Sequence, residues 1–383
     1  MFSSDVDIEV ILRDFHIEGR TLRYSSFMGR LYNLCLKLGF EEGKILPSRA
    51  YCSDESQGYP IILIAKHFGT FPFNHGRVGG VVSTDRHGPF AEHGKDLVII
   101  HASHVGYDPD NHQFGTYRRL QTDNNEFGPS CGKINGVLSW YRQEYEFARK
   151  NILLEHSDGK HLVIIDNYLL RQERNEGIFL NMDKITSSIS NGSHAPVRSF
   201  STSKCFVASG QFQESLKDAW PEHGRRPIGD LLDSDVFKFK RHVPDDPESG
   251  GHLEQNLLSP MACVITSSAP LLVAAQVNTQ VEFDRTYRTL VTGQEFQGKR
   301  VLFISGLNID ISPSPGQLFP LTKFVPWAAC LRDPDGTFTI MEQEEIYHAL
   351  MDQSEVNDRQ VDLEEAIHIM ADASEVKVRL PDH

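Results

Sequence analysis

A run of four aliphatic residues at 97–100, which follows Gly94, limits the fold of this chain more than any other feature. An uninterrupted apolar run of this length is typical of a strand that is buried on both faces. A second such run occupies residues 161–165, and residues 132–150 between them carry apolar side chains at helical spacing. Strands that alternate with helices predict an α/β fold, with a mostly parallel sheet flanked by helices.

Three further segments have recognisable patterns. Apolar residues spaced three and four apart at 22–38 predict an amphipathic helix. The apolar run at 60–65 fits either a strand or a helix. The acidic tail from Glu342 is helical in pattern and ends in a short strand-like stretch at 376–378.

Two stretches of the chain resemble each other and predict a tandem duplication. GKDLVIIHASHVGYDPD at 94–110 is echoed by GKRVLFISGLNIDISPSPG at 298–316, and Cys52 and Cys263 precede them in the same order. Residues 186–226 are rich in Ser, Gly, Asn and Arg, so we predict one domain at 1–200 and a homologous one at 201–383. Isoleucine and asparagine replace two candidate functional side chains in the second copy, which is therefore predicted to be degenerate; the corresponding pairs are Ile265 for Asp54, Asn308 for His104, and Cys330 for Cys131.

Composition excludes several classes of function. The 383 residues carry a formal net charge of −14 and contain no run of Lys or Arg, which argues against a nucleic-acid-binding protein. No apolar stretch approaches 18 residues, so no membrane span is expected. The N-terminus lacks the basic and apolar regions of a secretory signal, and six scattered cysteines are too few for a disulfide scaffold, so we predict a cytoplasmic protein.

Cys52, His104 and Cys131 form the candidate metal site. His104 follows the apolar core of the strand at 97–100, and Cys131 precedes the predicted helix. The loops at the carboxyl ends of parallel strands form the ligand crevice of α/β folds, so the three side chains can converge there. Thiolate and imidazole ligands suit zinc, and a set of three protein ligands leaves a fourth position for water. His101 is the competing imidazole ligand.

The residues around these ligands resemble a known family. Cys52-Ser53-Asp54 is similar to the Cys-x-Asp motif of β-type carbonic anhydrases. SHVGYD at 103–108, GTYRR at 115–119 and SCG at 130–132 resemble the limiting-CO2-inducible B family, which is linked to the theta carbonic anhydrases. The similarity covers about residues 25–150 and implies a β-carbonic-anhydrase-like fold. It also implies zinc bound by Cys52, His104 and Cys131, and interconversion of carbon dioxide and bicarbonate by a zinc-activated hydroxide.

The resemblance also implies an Asp–Arg pair beside the metal. Asp54 matches the aspartate, but Ser56 occupies the usual position of the arginine. Arg77, in Gly76-Arg77-Val78-Gly79, is the favoured replacement; Arg86 and Arg119 are the alternatives. Phe73, Val105 and Tyr107 are predicted to form the apolar wall for the substrate. His87, His101 and His112 are candidates for proton transfer, because imidazole titrates near neutrality.

Partners and rival functions follow from the same family. Since β-type enzymes pair two copies of the fold, we predict a homodimer or an intrachain pseudodimer. One alternative is a hydrolase of carbonyl sulfide or carbon disulfide with the same fold. Another is a zinc-binding regulatory protein without activity, whose site is closed by Asp54 or by a missing arginine. A third is a cysteine-dependent hydrolase that uses Cys52 without metal.

Overall fold

The computed structural model describes residues 13–83, 96–119, 126–171, 174–244, 251–314, 317 and 321–372. The α-helices of these residues are α1 Tyr24–Lys37, α2 Gly58–Phe68, α3 Gly132–Asn151, α4 Met182–Ile185, α5 Gly210–Leu216, α6 Gly251–Leu258, α7 Met261–Thr266, α8 Pro270–Thr292, α9 Gln343–Met351 and α10 Leu363–Asp372.

The strands of the described residues range from two residues to the 13 residues of β6. They are β1 Leu22–Arg23, β2 Ile45–Ala50, β3 Phe73–Asn74, β4 Gly76–Arg77, β5 Val81–Val82, β6 Asp96–Asp108, β7 Gln113–Phe114, β8 Thr116–Arg118, β9 Phe127–Pro129, β10 Ile152–Ser157, β11 Lys160–Asp166, β12 Gly177–Leu180, β13 Arg198–Ser199, β14 Ser203–Val207, β15 Arg225–Pro227, β16 Phe237–Lys240, β17 Val301–Ile311, β18 Leu321–Arg332 and β19 Phe338–Met341.

The main sheet has the strand order β1-β18-β17-β6-β2-β3, with β19 added to β18 and β7 to β6. Strand β2 runs parallel to both β3 and β6. Leu97 N–H donates to the Arg300 carbonyl and His101 contacts Ser305, so β6 and β17 advance in the same direction. Strand β18 is antiparallel to β17 and β1. The predicted α/β class with a mostly parallel sheet flanked by helices is confirmed.

Both faces of β6 are buried, which explains its continuous apolar sequence. Val98, Ile100 and Ala102 pack with residues of α1, α2 and α9 on one face. Leu97 and Ile99 pack with Phe283 and Leu290 of α8 on the other face. Burying one such aliphatic side chain contributes about 1.5–3 kcal/mol, so this strand anchors the sheet. The long strand therefore gives the residues near its end a fixed position.

A second sheet is antiparallel and has the order β13-β14-β11-β10-β15. It contains β11, the strand predicted at 161–165. The expectation that this strand belongs to a parallel sheet was wrong, because β11 pairs with β10 across a two-residue turn. Asp158 and Gly159 form this turn with φ angles of 52° and 69°. Asp-Gly with two positive φ angles is typical of a tight hairpin, which requires antiparallel strands.

The predicted helices agree with the structure where it describes them. The pattern at 22–38 forms α1, the stretch after Cys131 forms α3, and the ambiguous run at 60–65 lies in α2. Helices α9 and α10 follow Glu342, while 376–378 lies outside the described residues. None of the helices described is long and apolar enough to cross a bilayer.

The chain forms two compact units, each assembled from separate segments. One contains Ile17–Ala102 and Phe283–His383, and its core is the main sheet with α1, α2 and α9. The other contains Met1–His16 and Ser103–Glu282, and includes the antiparallel sheet and α3. In this second unit, α3 buries a stripe of side chains at spacings of three and four: Ile134, Leu138, Tyr141, Tyr145 and Ala148. The predicted boundary at residue 200 and the duplication stay predictions.

Candidate metal centre

Strand β6 positions the two ligands that come first in the sequence. Its partner β2 ends at Ala50, which lies opposite His101, and Cys52 follows two residues later. His104 lies three residues beyond His101 on the same continuous strand. Because parallel strands end at the same edge of a sheet, Cys52 and His104 are brought to neighbouring positions.

Backbone hydrogen bonds connect the third ligand to the same strand. The Gly106 N–H donates to the Ser130 carbonyl at 3.1 Å, directly before Cys131. Cys131 is the N-cap of α3, and its carbonyl accepts from Asn135 N–H at 3.0 Å. Gly106 also packs closely against β8, because a Cβ there would lie 2.5 Å from the Thr116 carbonyl oxygen. The helix and the strand together fix the position of Cys131.

The three predicted ligands form one buried group. Cys52, His104 and Cys131 are 4%, 0% and 1% exposed, and their ligand atoms all lie within 4.8 Å of one another. Two thiols and one imidazole match the preference of zinc for sulfur and nitrogen ligands. This group could therefore hold one metal ion.

Local electrostatics favour the thiolate form that a metal requires. The Gly79 N–H donates to Cys52 Sγ at 3.2 Å. Cys131 lies at the N-terminus of the 20-residue helix α3, where the helix dipole stabilises negative charge. Each thiolate thus has a positive partial charge beside it before any ion is bound.

His101, the competing imidazole, is engaged elsewhere. Its Nδ1 lies 2.7 Å from Ser305 Oγ and its Nε2 lies 2.9 Å from the Gly80 carbonyl. Its ring also contacts Phe303, on the same face as Leu97 and Ile99. Side chains alternate along a strand, so His104 projects to the opposite face. His101 is a buried structural histidine, and it is not part of the group of three.

Asp54 follows Cys52 by two residues, and Arg77 lies in strand β4. Asp54 caps the short turn Glu55–Gln57, with its Oδ1 accepting from Ser56 N–H at 3.2 Å. Arg77 donates to Ser83 Oγ at 3.2 Å. Their pairing with each other stays a prediction. Of the alternative arginines, Arg119 lies at the end of β8 and Arg86 lies outside the described residues.

The three residues of the predicted substrate wall differ in how far they are buried. Phe73 is 40% exposed on β3. Val105 is fully buried, and strand alternation turns it to the face opposite His104. Tyr107 is half-buried; its ring packs on Phe114 and its hydroxyl lies 3.1 Å from His112 Nδ1. His112 is exposed, and His87 lies outside the described residues.

The residues that echo the ligands in the second half lie in different elements. Cys263 and Ile265 lie within helix α7, whereas Cys52 follows a strand. Cys330 lies within strand β18, whereas Cys131 caps a helix. Asn308 lies in β17, as the echo predicts, and its amide donates to Gln57 Oε1 at 2.7 Å. Of the features that the repeat predicts, only strand β17, the echo of β6, is found in the expected type of element.

A buried carboxylate near the Cys52 loop was missed at the sequence level. Asp310 is fully buried in β17 and accepts from Ser56 Oγ at 2.9 Å and from Gln57 Nε2 at 2.9–3.0 Å. Ser56 is the residue that replaces the arginine of the β-type motif. The signal in the sequence was an acidic residue inside the mostly apolar strand 301–311. Asp310 ties the turn after Asp54 to the main sheet.

A buried tyrosine pair lies in the same core. The hydroxyls of Tyr24 and Tyr51 are hydrogen-bonded to each other, and Tyr51 directly precedes Cys52. Burial raises the pKa of both phenols, so both stay protonated at neutral pH. The backbone that leads to Cys52 is thereby fixed on the side of α1.

Fold and site together define an α/β protein with a buried group of two cysteines and one histidine that could hold a metal ion. The chain is similar to the crystal structure of PtLCIB4, a homolog of the limiting CO2-inducible protein LCIB, at 12% identity and a TM-score of 0.48, covering 87% of this chain and 99% of that chain. For a point mutant of PtLCIB4 the identity is 13%, the TM-score 0.49, and the coverage 87% and 96%. For LCIB itself the values are 15%, 0.44, 88% and 99%. No protein-family model matches the chain, and no curated protein matches it in sequence.

Proposed function

We propose that this chain is a zinc-dependent carbonic anhydrase, with Cys52, His104 and Cys131 as the zinc ligands. The observation that carries the proposal is the convergence of three buried donors in a group that, within the described residues, contains no fourth His, Cys, Asp or Glu. Structural zinc sites usually have four protein ligands, whereas catalytic sites have three and keep one position open. The motifs around Cys52 and His104 support the carbonic anhydrase assignment.

A zinc ion in this group would supply Lewis-acid activation of water at neutral pH. The chain's own residues would hold and orient the reactants. Asp54, fixed by the Ser56 amide, is proposed to accept a hydrogen bond from the attacking water. Arg77 is proposed to keep this carboxylate ionised and away from the metal. Phe73 remains the proposed apolar wall for carbon dioxide, because Val105 and Tyr107 lie on the face of β6 opposite His104.

The proposed setting is a reducing compartment, the cytoplasm. All six cysteines are free thiols, although four of them play no part in the proposed metal site. Free thiols persist where glutathione keeps proteins reduced. The pairing of two copies of the chain, or of its two halves, stays part of the proposal.

Two measurements test the function together. Elemental analysis of protein purified without chelator should find one zinc ion per chain, and stopped-flow assays should detect hydration of carbon dioxide. His104→Ala should abolish both. Cys263→Ser is the matched control, because Cys263 lies in α7 outside the group, and it should retain both zinc and activity.

Each rival function predicts a different result. A chain with zinc but no hydration above background would be a silent zinc-binding protein. Hydrolysis of carbonyl sulfide or carbon disulfide without hydration of carbon dioxide would indicate the related hydrolase. Activity that survives metal removal but is lost in Cys52→Ser would indicate a cysteine-dependent enzyme. Any of these three outcomes would refute the carbonic anhydrase proposal.

A further inference from the structure

A large cleft lies in the unit that contains α3, formed by the β7–β9 strands, α3 and the start of α8. Its volume is about 850 Å³, within the range of clefts that bind small organic molecules. The residues of its wall that matter here are Phe114, Thr116, Phe127, Asn135, Arg142 and Leu271. The wall thus combines polar side chains with two aromatic rings and a leucine.

Arg142 is the fully charged group of this wall. Its Nη1 donates to Asn135 Oδ1 at 2.7 Å, and both residues lie on one face of α3, seven positions apart. In the part of the chain that the structure describes, Arg142 has no carboxylate partner. Arg142 is partly buried, and this burial lowers the pKa of its guanidinium. A partly buried charge without a counterion is costly unless an anion is bound to it.

Two neighbouring arginines do have carboxylate partners. Arg149, two turns further along α3, pairs with Glu146 and Asp230. Arg174 pairs with Glu144. The chain has 52 acidic residues against 38 basic ones, so partners are abundant. Among the residues that the structure assigns to the cleft wall, however, none is acidic. The cleft is therefore a local site for negative charge on an acidic protein.

The rest of the wall indicates which kind of anion fits. The Thr116 hydroxyl is buried and has no hydrogen-bond partner within the described residues, so it is available to a ligand. Phe114, Phe127 and Leu271 provide apolar surface. A guanidinium binds carboxylates through two parallel hydrogen bonds. The cleft suits a carboxylate with an apolar body better than a small inorganic anion.

We propose that this cleft binds an organic carboxylate, with Arg142 pairing with the carboxylate group and with Phe114, Phe127 and Leu271 packing against its apolar body. The site is distinct from the Cys52–His104–Cys131 group in its residues and in its ligand. Its occupancy does not depend on zinc, so the proposal goes beyond the function proposed above and can fail without it.

The test uses 2-naphthoate as the probe and the full-length protein. Titration followed by isothermal calorimetry should show saturable binding at one site. The neutral analogue 2-naphthylmethanol should bind at least 10-fold more weakly, because it cannot pair with a guanidinium. Arg142→Gln should weaken 2-naphthoate binding at least 10-fold, equivalent to about 1.4 kcal/mol. Arg149→Gln, a change of the same kind on the same helix, should leave the affinity unchanged.

Three results would overturn the proposal. One is the absence of saturable 2-naphthoate binding up to about 1 mM. The second is an unchanged affinity in Arg142→Gln. The third is displacement of 2-naphthoate by bicarbonate at equal concentration, which would indicate a site for small anions. If Arg142→Gln alters the circular dichroism spectrum, Thr116→Val replaces it, since this change keeps the side-chain shape and should also weaken binding.

Discussion

Substitution of Gly76 by alanine tests how closely the backbone around Cys52 is packed. A Cβ at position 76 would lie 2.1 Å from the Tyr51 carbonyl oxygen and 2.5 Å from the Tyr51 nitrogen, whereas real Cβ contacts are essentially never shorter than 3.0 Å. The two backbone segments must therefore separate by about 0.9 Å, which overpacking data place at a cost of about 1–3 kcal/mol. Cys52 follows Tyr51 directly, and metal–ligand distances tolerate only about 0.2 Å. We expect Gly76→Ala to lose both stability and zinc.

Urea denaturation measures the free energy of unfolding, and elemental analysis after dialysis against a chelator measures the retained zinc. The matched control is Gly136→Ala in α3, where an added Cβ meets no atom within 4 Å. Replacing a helical glycine with alanine should raise the unfolding free energy by about 0.5–1 kcal/mol and leave zinc unaffected. If Gly76→Ala unfolds at the wild-type urea concentration and keeps its zinc, the close approach of these segments does not position Cys52.

Two further predictions concern buried polar groups in the unit that contains the main sheet. Ser56→Ala removes a hydrogen bond to the fully buried carboxylate of Asp310 and should lower the unfolding free energy by about 1–3 kcal/mol, while Ser53→Ala, at an exposed position, should change it by less than about 0.5 kcal/mol. Equal effects of the two changes in urea denaturation would contradict this. Burial lowers the pKa of His75 to about 3, and its neutral ring is hydrogen-bonded to Ser48 Oγ at 2.6 Å. The folded protein binds a proton at His75 less readily than the unfolded chain does. The free energy of unfolding should therefore be independent of this group above about pH 6.5, and below it should fall by up to about 1.4 kcal/mol per pH unit towards pH 3. His75→Gln should flatten this part of the acid-unfolding curve, and an unchanged slope would refute the assignment.

The elements that the sequence predicted are those whose pattern depends on burial alone. The run at 97–100 is apolar because both faces of β6 are covered, and the stripe of α3 follows the helical period. The run at 161–165 looked the same, but it belongs to a hairpin. The Asp158-Gly159 turn was the signal that separates these cases, since a two-residue turn excludes a parallel neighbour.

The site was predictable only in part, because its geometry depends on pairing between distant segments. Alternation along β6 shows that His101 and His104 face opposite ways, but which face meets Cys52 depends on the register of β2. The partners of Asp310 are about 250 positions away in the sequence, at Ser56 and Gln57. Such contacts leave no local periodicity, so no spacing rule could identify them.

The unit that contains the main sheet is built from two separate segments of the chain, and this affects when it can fold during synthesis. Strands β2 and β6 belong to the first segment of the unit, whereas β17 and β18, which complete the sheet, belong to its last segment. At about 5–20 residues per second, a ribosome needs roughly 10–40 seconds to add the 200 or so residues between them. During this interval β6 lacks its neighbour β17, and the apolar side chains that α8 and α9 later cover are exposed. The unit that contains the main sheet therefore cannot finish folding before the residues of the other unit, 103–282, have been synthesised.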